Sequence, residues 1–398
     1  MKRISQLDGV RGIAILLVIV WHYFTCQIVA PPRSVLFYCS RLTNFGWSGV
    51  DLFFVLSGFL IASILLDHRY ASNYFRVFYL RRVCRILPIY FLLLALFVVV
   101  SASSIGASPS FRWLLGHPLP TWSYATFTQN ILMGIRGDFG PNWLGITWSL
   151  AVEEQFYVFV PLLIYFLPRR ILLLVFIIAV LTAPILRYMS PGFHGFVNTP
   201  WQSDSLFSGA ALAVLVRWHP FVTGIRQHRR FLRALFLAIL GVAAVLTIRA
   251  TPFAQAMEKF WLAGLYAIFI LVAFVGTEPW LGRLLRFSVL VRFGQLSYGI
   301  YLFHETVSGV LHGMLRHSKP QIRTISDAAV TVLALCVTML LAAMSYRFFE
   351  QPILRFGHRF QYSPRAKKEI SLETAPSEPS RHGAAEVPLR PALNIDVS

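Results

Sequence analysis

Acidic side chains are scarce in this chain. Asp and Glu number 17 against 36 Lys and Arg, and charged residues make up 13% of 398 positions beside 56% hydrophobic ones. That is too little charge to clothe a soluble domain of this length. Cysteine is scarce too, and Cys26, Cys39, Cys84 and Cys336 are scattered without metal-ligand spacing. Cys26 and Cys39 are placed to share an oxidising compartment, but nothing in the pattern demands a disulfide. No internal repeat is evident, which counts against transporters built from duplicated halves. The net charge of +19 would suit nucleic acid, yet no basic soluble module stands apart; the arginines sit in short loops between apolar runs. Lys2-Arg3 opens the chain as a signal peptide would. The apolar run that follows is too long for a leader and has no clear small-residue cleavage site, so it is expected to stay as a first membrane helix.

Long hydrophobic runs are what the chain has in quantity. A helix rises about 1.5 Å per residue, so about 20 apolar residues cross a bilayer. Ten spans can be read: 10–29, 47–66, 86–105, 146–167, 171–188, 203–217, 232–248, 261–276, 296–315 and 328–349. The sixth is short and carries Asp204 at its start, and the fourth starts polar. The expected fold class is all-α, a polytopic integral membrane bundle of about ten transmembrane helices. Residues 1–360 form the membrane-embedded domain, and 361–398, rich in Ser, Pro, Glu and Arg, form a disordered tail. Arginine placement sets the orientation. Loops on the N-terminal side hold Arg69, Arg76, Arg81, Arg82 and Arg85, then Arg169 and Arg170, then Arg226, Arg229 and Arg230, then Arg283, Arg286 and Arg292; the opposite loops hold far fewer. Positive-inside then puts both termini in the cytoplasm. The longest external loop, 106–145, carries Trp113, Trp122, Tyr124 and Trp143, which suit an aromatic belt or flat surfaces for a sugar ring.

Within this apolar frame a few polar groups stand out. Arg11 and His22 are eleven positions apart, three helical turns plus about 20°, so they share one face about 16 Å apart. Asp8 is near that face. Exposed to lipid, the face would strand polar groups in hydrocarbon, so it must line a cavity or a protein interior. A histidine hydrogen-bonded between helices is the plain alternative to a functional one. Asp51 opens the second span, either as a helix N-terminal charge, as a partner for a nearby cation, or as an orienting carboxylate for His22. Arg82 and Arg85, three apart beside Arg81, point to one side of a helical turn. They satisfy positive-inside, and they also suit phosphate oxygens, which guanidinium groups bind bidentately.

Ser149, Glu153 and Tyr157 share a face of the fourth span, while Glu154, about 100° away, looks elsewhere. Two acids in a span are expensive without a task. Ser297, Tyr301 and His304 form a polar stripe at i, i+4 and i+7 on the ninth span, for which an interhelical hydrogen-bond network is the simplest role; Glu305 follows His304. Arg347 and Glu350 end the last span before Pro352.

Six blocks together carry a resemblance. They are Leu7-Asp8-Gly9-Val10-Arg11-Gly12 with Trp21-His22, Gly49 to Phe59, Arg81-Arg82-Val83-Cys84-Arg85, Trp148 to Tyr157, Ser297 to His304 and Ser345 to Pro352. In this order, over residues 4–352, they resemble the acyltransferase 3 family of integral membrane acyltransferases. The family's arginine-to-histidine motif falls on Arg11 and His22, and its paired-arginine motif on Arg82 and Arg85. Ala151 and Phe303 depart from the more usual serine and tryptophan. No fused extracytoplasmic hydrolase-like domain is read here, so acceptor choice is expected to rest on the membrane domain and its outer loops.

The resemblance implies a multi-pass protein of a bacterial inner membrane that moves an acyl group, often acetyl, from cytoplasmic acyl-coenzyme A to a hydroxyl of a carbohydrate or glycolipid. Acyl-coenzyme A is then a co-substrate, and no permanent cofactor or metal is implied. His22 acts as general base or as acyl carrier, supported by Arg11 and by Glu153. Arg82 and Arg85, with Arg81 nearby, hold the phosphates. Asp51, Glu154, Tyr157, Tyr301 and His304 bind substrate or support the site. The rival class is a proton-coupled transporter or channel using Arg11, His22, Asp51 and Glu153 as a polar path.

Overall fold

In hydrocarbon a backbone must satisfy its own N–H and C=O groups, so long apolar runs become helices. In the computed structural model, which describes residues 5–104, 108–248 and 251–364, each of the ten runs lies on a helix. These are α1 (Ser5–Val20), α2 (Gly49–Asp67), α3 (Tyr74–Ser101), α4 (Trp148–Phe166), α5 (Arg169–Met189), α6 (Ser203–Leu215), α7 (Arg229–Ile248), α8 (Pro252–Val275), α9 (Ser288–Arg316) and α10 (Ile325–Ser345). Among the described residues there is no strand, only an isolated bridge between Ile28 and Ile322. The protein is an all-α, multi-pass membrane bundle.

Eight of the described helices are long and apolar enough to cross a membrane unaided. Two of the ten runs fall short of that standard for different reasons. The sixth is a bent element: the segment Thr199–Leu215 turns through 98° into His219–Gln227, and counting that pair as one span brings the total to nine. The other, α9, runs 29 residues but carries Arg292, His304, Glu305 and His312, and it is packed between α1 and α10. The third run also starts earlier than its apolar stretch suggests. Helix α3 begins at Tyr74, so the arginine cluster rides on its third and fourth turns.

Close backbone approach holds the centre. A Cβ added at Gly58 of α2 would meet the Leu206 carbonyl oxygen of α6 at 1.9 Å, and one added at Gly209 would meet the Val55 carbonyl oxygen at 1.9 Å. Only glycine lets two helices lie this near. Helix α1 presses equally close to α9, where Gly294 faces the Asp8 carbonyl oxygen.

Beyond α10 a π-turn and a short helix lead the chain back along α3. Arg81 grips the Phe360 carbonyl oxygen through Nε at 3.0 Å and Nη2 at 2.7 Å, and Tyr362 stacks on His68 with ring centroids 4.0 Å apart. Burial pushes the Tyr362 phenol up to about 12. Residues 361–364 therefore pack on the bundle; the rest of the segment expected to be a disordered tail, from 365 on, lies outside the described residues.

Candidate functional site

A cavity of about 110 Å³ opens among α1, α2, α3, α4 and α9, and six of the eleven candidate residues line it: Arg11, Arg82, Arg85, Glu153, Tyr157 and Tyr301. Each helix contributes the face that its spacing foretold. Ser149, Glu153 and Tyr157 enter together from α4, Arg82 and Arg85 from α3, and Ser297 and Tyr301 from α9.

The cavity's charges are held in place. Arg11 donates to Asp8 Oδ1 at 3.1 Å, across one turn of α1. Arg82 is buried, with its guanidinium 6.0 Å from the Tyr157 ring centroid, and its Nε has no hydrogen-bond partner. An orphaned guanidinium donor is costly unless something accepts from it, which makes this wall fit an anionic ligand. Glu153 interacts with the Ser57 and Tyr157 hydroxyls, which bond each other at 2.6 Å, and is attracted by Arg85 and Arg82.

The remaining five candidates lie elsewhere. Arg81 is committed to the Phe360 carbonyl. Glu154 is not a lining residue, and its Oε1 is buried without a hydrogen-bond partner. Asp51 does not orient His22. It accepts from Ser205 Oγ at 3.3 Å and belongs to a buried charge group with Asp204, Arg187 and Lys259. That group went unremarked in the sequence because its members come from four different helices and share no spacing.

His22 and His304 form a second centre behind the cavity. His22 sits on a π-helical turn, Trp21–Thr25, that ends α1; such turns are frequent at functional sites. Its Nδ1–H donates to the Val18 carbonyl at 2.9 Å. A carbonyl only accepts, so in the neutral ring Nε2 keeps its lone pair. His304 repeats the arrangement, donating Nδ1–H to the Tyr301 carbonyl at 2.6 Å and leaving a buried Nε2 without a hydrogen-bond partner. The two rings meet edge to face at 4.8 Å, and Glu305 Oε1 stands 3.7 Å from His22 Nε2. One ligand atom from each of His22, His304 and Glu305 lies within 4.8 Å of the others, a spacing that suits a shared proton or a small cation. Glu305 was overlooked as a functional residue in the sequence; its signal was an acid placed directly after His304 inside a span.

Tyr301 adjoins both the cavity and His304. Its ring lies 5.7 Å from His304, and its hydroxyl bonds Ser149 Oγ at 2.6 Å and donates to the Ile146 carbonyl at 3.0 Å. The outer-loop aromatics divide as well: Tyr124 and Trp143 are buried in the core, and Trp122 is exposed.

Residues 4–347 match the model of the acyltransferase 3 family, described as an acyltransferase domain. The chain is 28% identical over 387 residues to the peptidoglycan O-acetyltransferase OatA of Listeria monocytogenes, covering 89% of this chain and 56% of the relative. It is 26% identical over 396 residues to the O-acetyltransferase OatA of Staphylococcus aureus, covering 93% and 60%. The chain thus spans somewhat more than half the length of these relatives. No solved structure matches it.

Proposed function

The chain belongs to the acyltransferase 3 family of integral membrane acyltransferases, and on that premise we propose that it is a membrane O-acyltransferase. It moves an acetyl group from acyl-coenzyme A to a hydroxyl of a cell-envelope carbohydrate. The observation that carries this reading is the single cavity in which Arg82 and Arg85, beside Arg11 and Glu153, face a space with an unsatisfied guanidinium donor. Guanidinium pairs match phosphate oxygens. The arginine count of the loops supports a cytoplasmic mouth at α3, with both termini on that side of a bacterial inner membrane.

The histidine centre supplies the proton chemistry. The acceptor's oxygen attacks the thioester carbonyl carbon while His22 Nε2 takes the hydroxyl proton. As the new C–O bond forms and the C–S bond breaks, the proton passes on to the departing thiolate. Glu305, 3.7 Å from Nε2, favours the imidazolium that exists between these two events. In the acyl-histidine variant, Nε2 itself attacks the thioester first, and the acceptor then displaces the histidine. Either course runs past Tyr301, which lines the cavity and lies beside His304. A transporter reading needs a continuous polar path through the protein, and the cavity that Arg11 and Glu153 share does not include His22 or Asp51.

The test is release of coenzyme A thiol by purified protein in nanodiscs, supplied with acetyl-coenzyme A and saccharide acceptors. Acceptor-dependent release with acetylated product supports the proposal; its absence across donors and acceptors, in folded protein, overturns it.

A further inference from the structure

A second cavity, of about 260 Å³, lies apart from the site described above. Its walls come from Trp47 just ahead of α2, Ser190 and Phe196 beyond α5, and Gln255, Glu258 and Lys259 in the first turns of α8. These positions all lie at the end of the bundle where the chain enters α2. Arg82 and Arg85 lie within α3 toward the other end, while the first cavity also reaches Val50 and Ser149 at this end, next to Trp148, whose ring faces Lys259.

Lys259 decides what fits here. It is 7% exposed, lines the cavity, and donates from Nζ to Gln202 Oε1 at 2.9 Å. An ammonium has three N–H donors, and this bond spends one of them on a neutral amide. The rings of Phe196 and Trp148 lie 4.5 and 5.8 Å from Nζ, which suits a cation without cancelling its charge. Arg187, in the same wall, is committed to Asp204 and to the carbonyls of Trp201 and Ala256. Asp51 and Asp204 attract Lys259 but do not line the cavity.

A buried cation facing an outer cavity matches a single carboxylate. A phosphate dianion suits it less, because Glu258 lines the same space and repels a second charge. Glu258, Gln255 and Ser190 offer partners for hydroxyls, and Trp47 and Phe196 offer flat apolar faces to a pyranose. We infer that this cavity is the acceptor subsite and that it takes a saccharide bearing a carboxylate, seated on Lys259. The word acceptor rests on the acyl-transfer reading above.

The probes are methyl glucuronide and methyl glucoside, which share a ring and differ by one carboxylate. Binding to the full chain in nanodiscs is measured by saturation-transfer NMR without acyl donor. The glucuronide is expected to bind about tenfold tighter or more, the scale of one charge-assisted hydrogen bond. Lys259→Met should bring the two sugars level, and Lys259→Arg should keep most of the preference. Because Lys259→Met disturbs a buried charge group, Ser190→Trp provides a second variant: at an exposed position after α5 it fills the mouth and should remove both sugars. Equal binding of the two sugars to the unaltered protein overturns the inference, as does a glucuronide preference that survives both Lys259→Met and Ser190→Trp. Coenzyme A release, run in parallel, separates the two readings. Full-rate transfer to neutral sugars with no glucuronide preference sinks the subsite alone. Glucuronide binding with no release from any donor sinks the acyl-transfer reading and leaves a saccharide site.

Discussion

Exchanging arginine for lysine in the Arg81–Arg85 cluster separates three residues that topology treats alike. Arg82 and Arg85 line the cavity, and Arg82 has a buried Nε without a partner. Arg81 instead spends Nε and Nη2 on the Phe360 carbonyl. Lysine preserves the charge at all three, so positive-inside is satisfied in every variant. What lysine loses at Arg82 and Arg85 is the planar fork and its paired donors. A hydrogen bond to a charged group contributes about 1.5–3 kcal/mol, and lysine recovers part of it as a point charge. We therefore expect the double Arg→Lys change to weaken donor binding by about 1–3 kcal/mol, or about five- to a hundred-fold in the KM for acetyl-coenzyme A where KM tracks binding. The acceptor KM should not move. Arg81→Lys should leave the donor KM alone and lower thermal stability in detergent, because it loosens the return of the chain onto α3. The assay is initial-rate coenzyme A release at saturating acceptor, with insertion checked by tail accessibility. An unchanged donor KM in the correctly inserted double variant would refute the phosphate role and return these arginines to topology alone.

Three further outcomes are expected. His22→Ala should abolish transfer with folding near normal, while Glu305→Gln should lower kcat by about ten- to a hundred-fold and leave both KM values unchanged, consistent with a loss within the range of general-base contributions; an unaffected kcat in Glu305→Gln would remove that carboxylate from the mechanism. Gly58→Val should prevent α2 and α6 from closing, since even a Cβ meets a carbonyl oxygen at 1.9 Å, and the variant should show a lower Tm in detergent or fail to accumulate; an unchanged Tm would contradict the packing. Tags at both termini should be shielded in intact cells, and Cys39, exposed between α1 and α2, should react with a membrane-impermeant maleimide if the proposed orientation holds; labelling of the C-terminal tag from outside would overturn the orientation.

Much of this was legible because membrane helices obey a simple code. Hydropathy located the ten helical runs, and a 100° step per residue placed Ser149, Glu153 and Tyr157 together and turned Glu154 away. The same step put Arg82 with Arg85. Periodicity works within a helix and fails between helices. It could not say that Asp51 meets Lys259 and Asp204 rather than His22, because that choice depends on how α2, α6 and α8 pack. Nor could it show that Arg11 lines the cavity while His22, on the π-turn that follows α1, does not. Arg81 misled for a related reason: its partner, Phe360, is 279 residues away.

The tethering of Tyr301 has a consequence for the cell as a whole. A protein with polar groups buried at both ends of a bundle risks becoming a leak, since one file of water joining them would discharge the ion gradients across the bilayer. Here the hydroxyl of Tyr301 is tied to Ser149 and to the Ile146 carbonyl, and the residue lines the arginine-bearing cavity, which His22 and His304 do not. A side chain tethered at that position leaves such a file little slack.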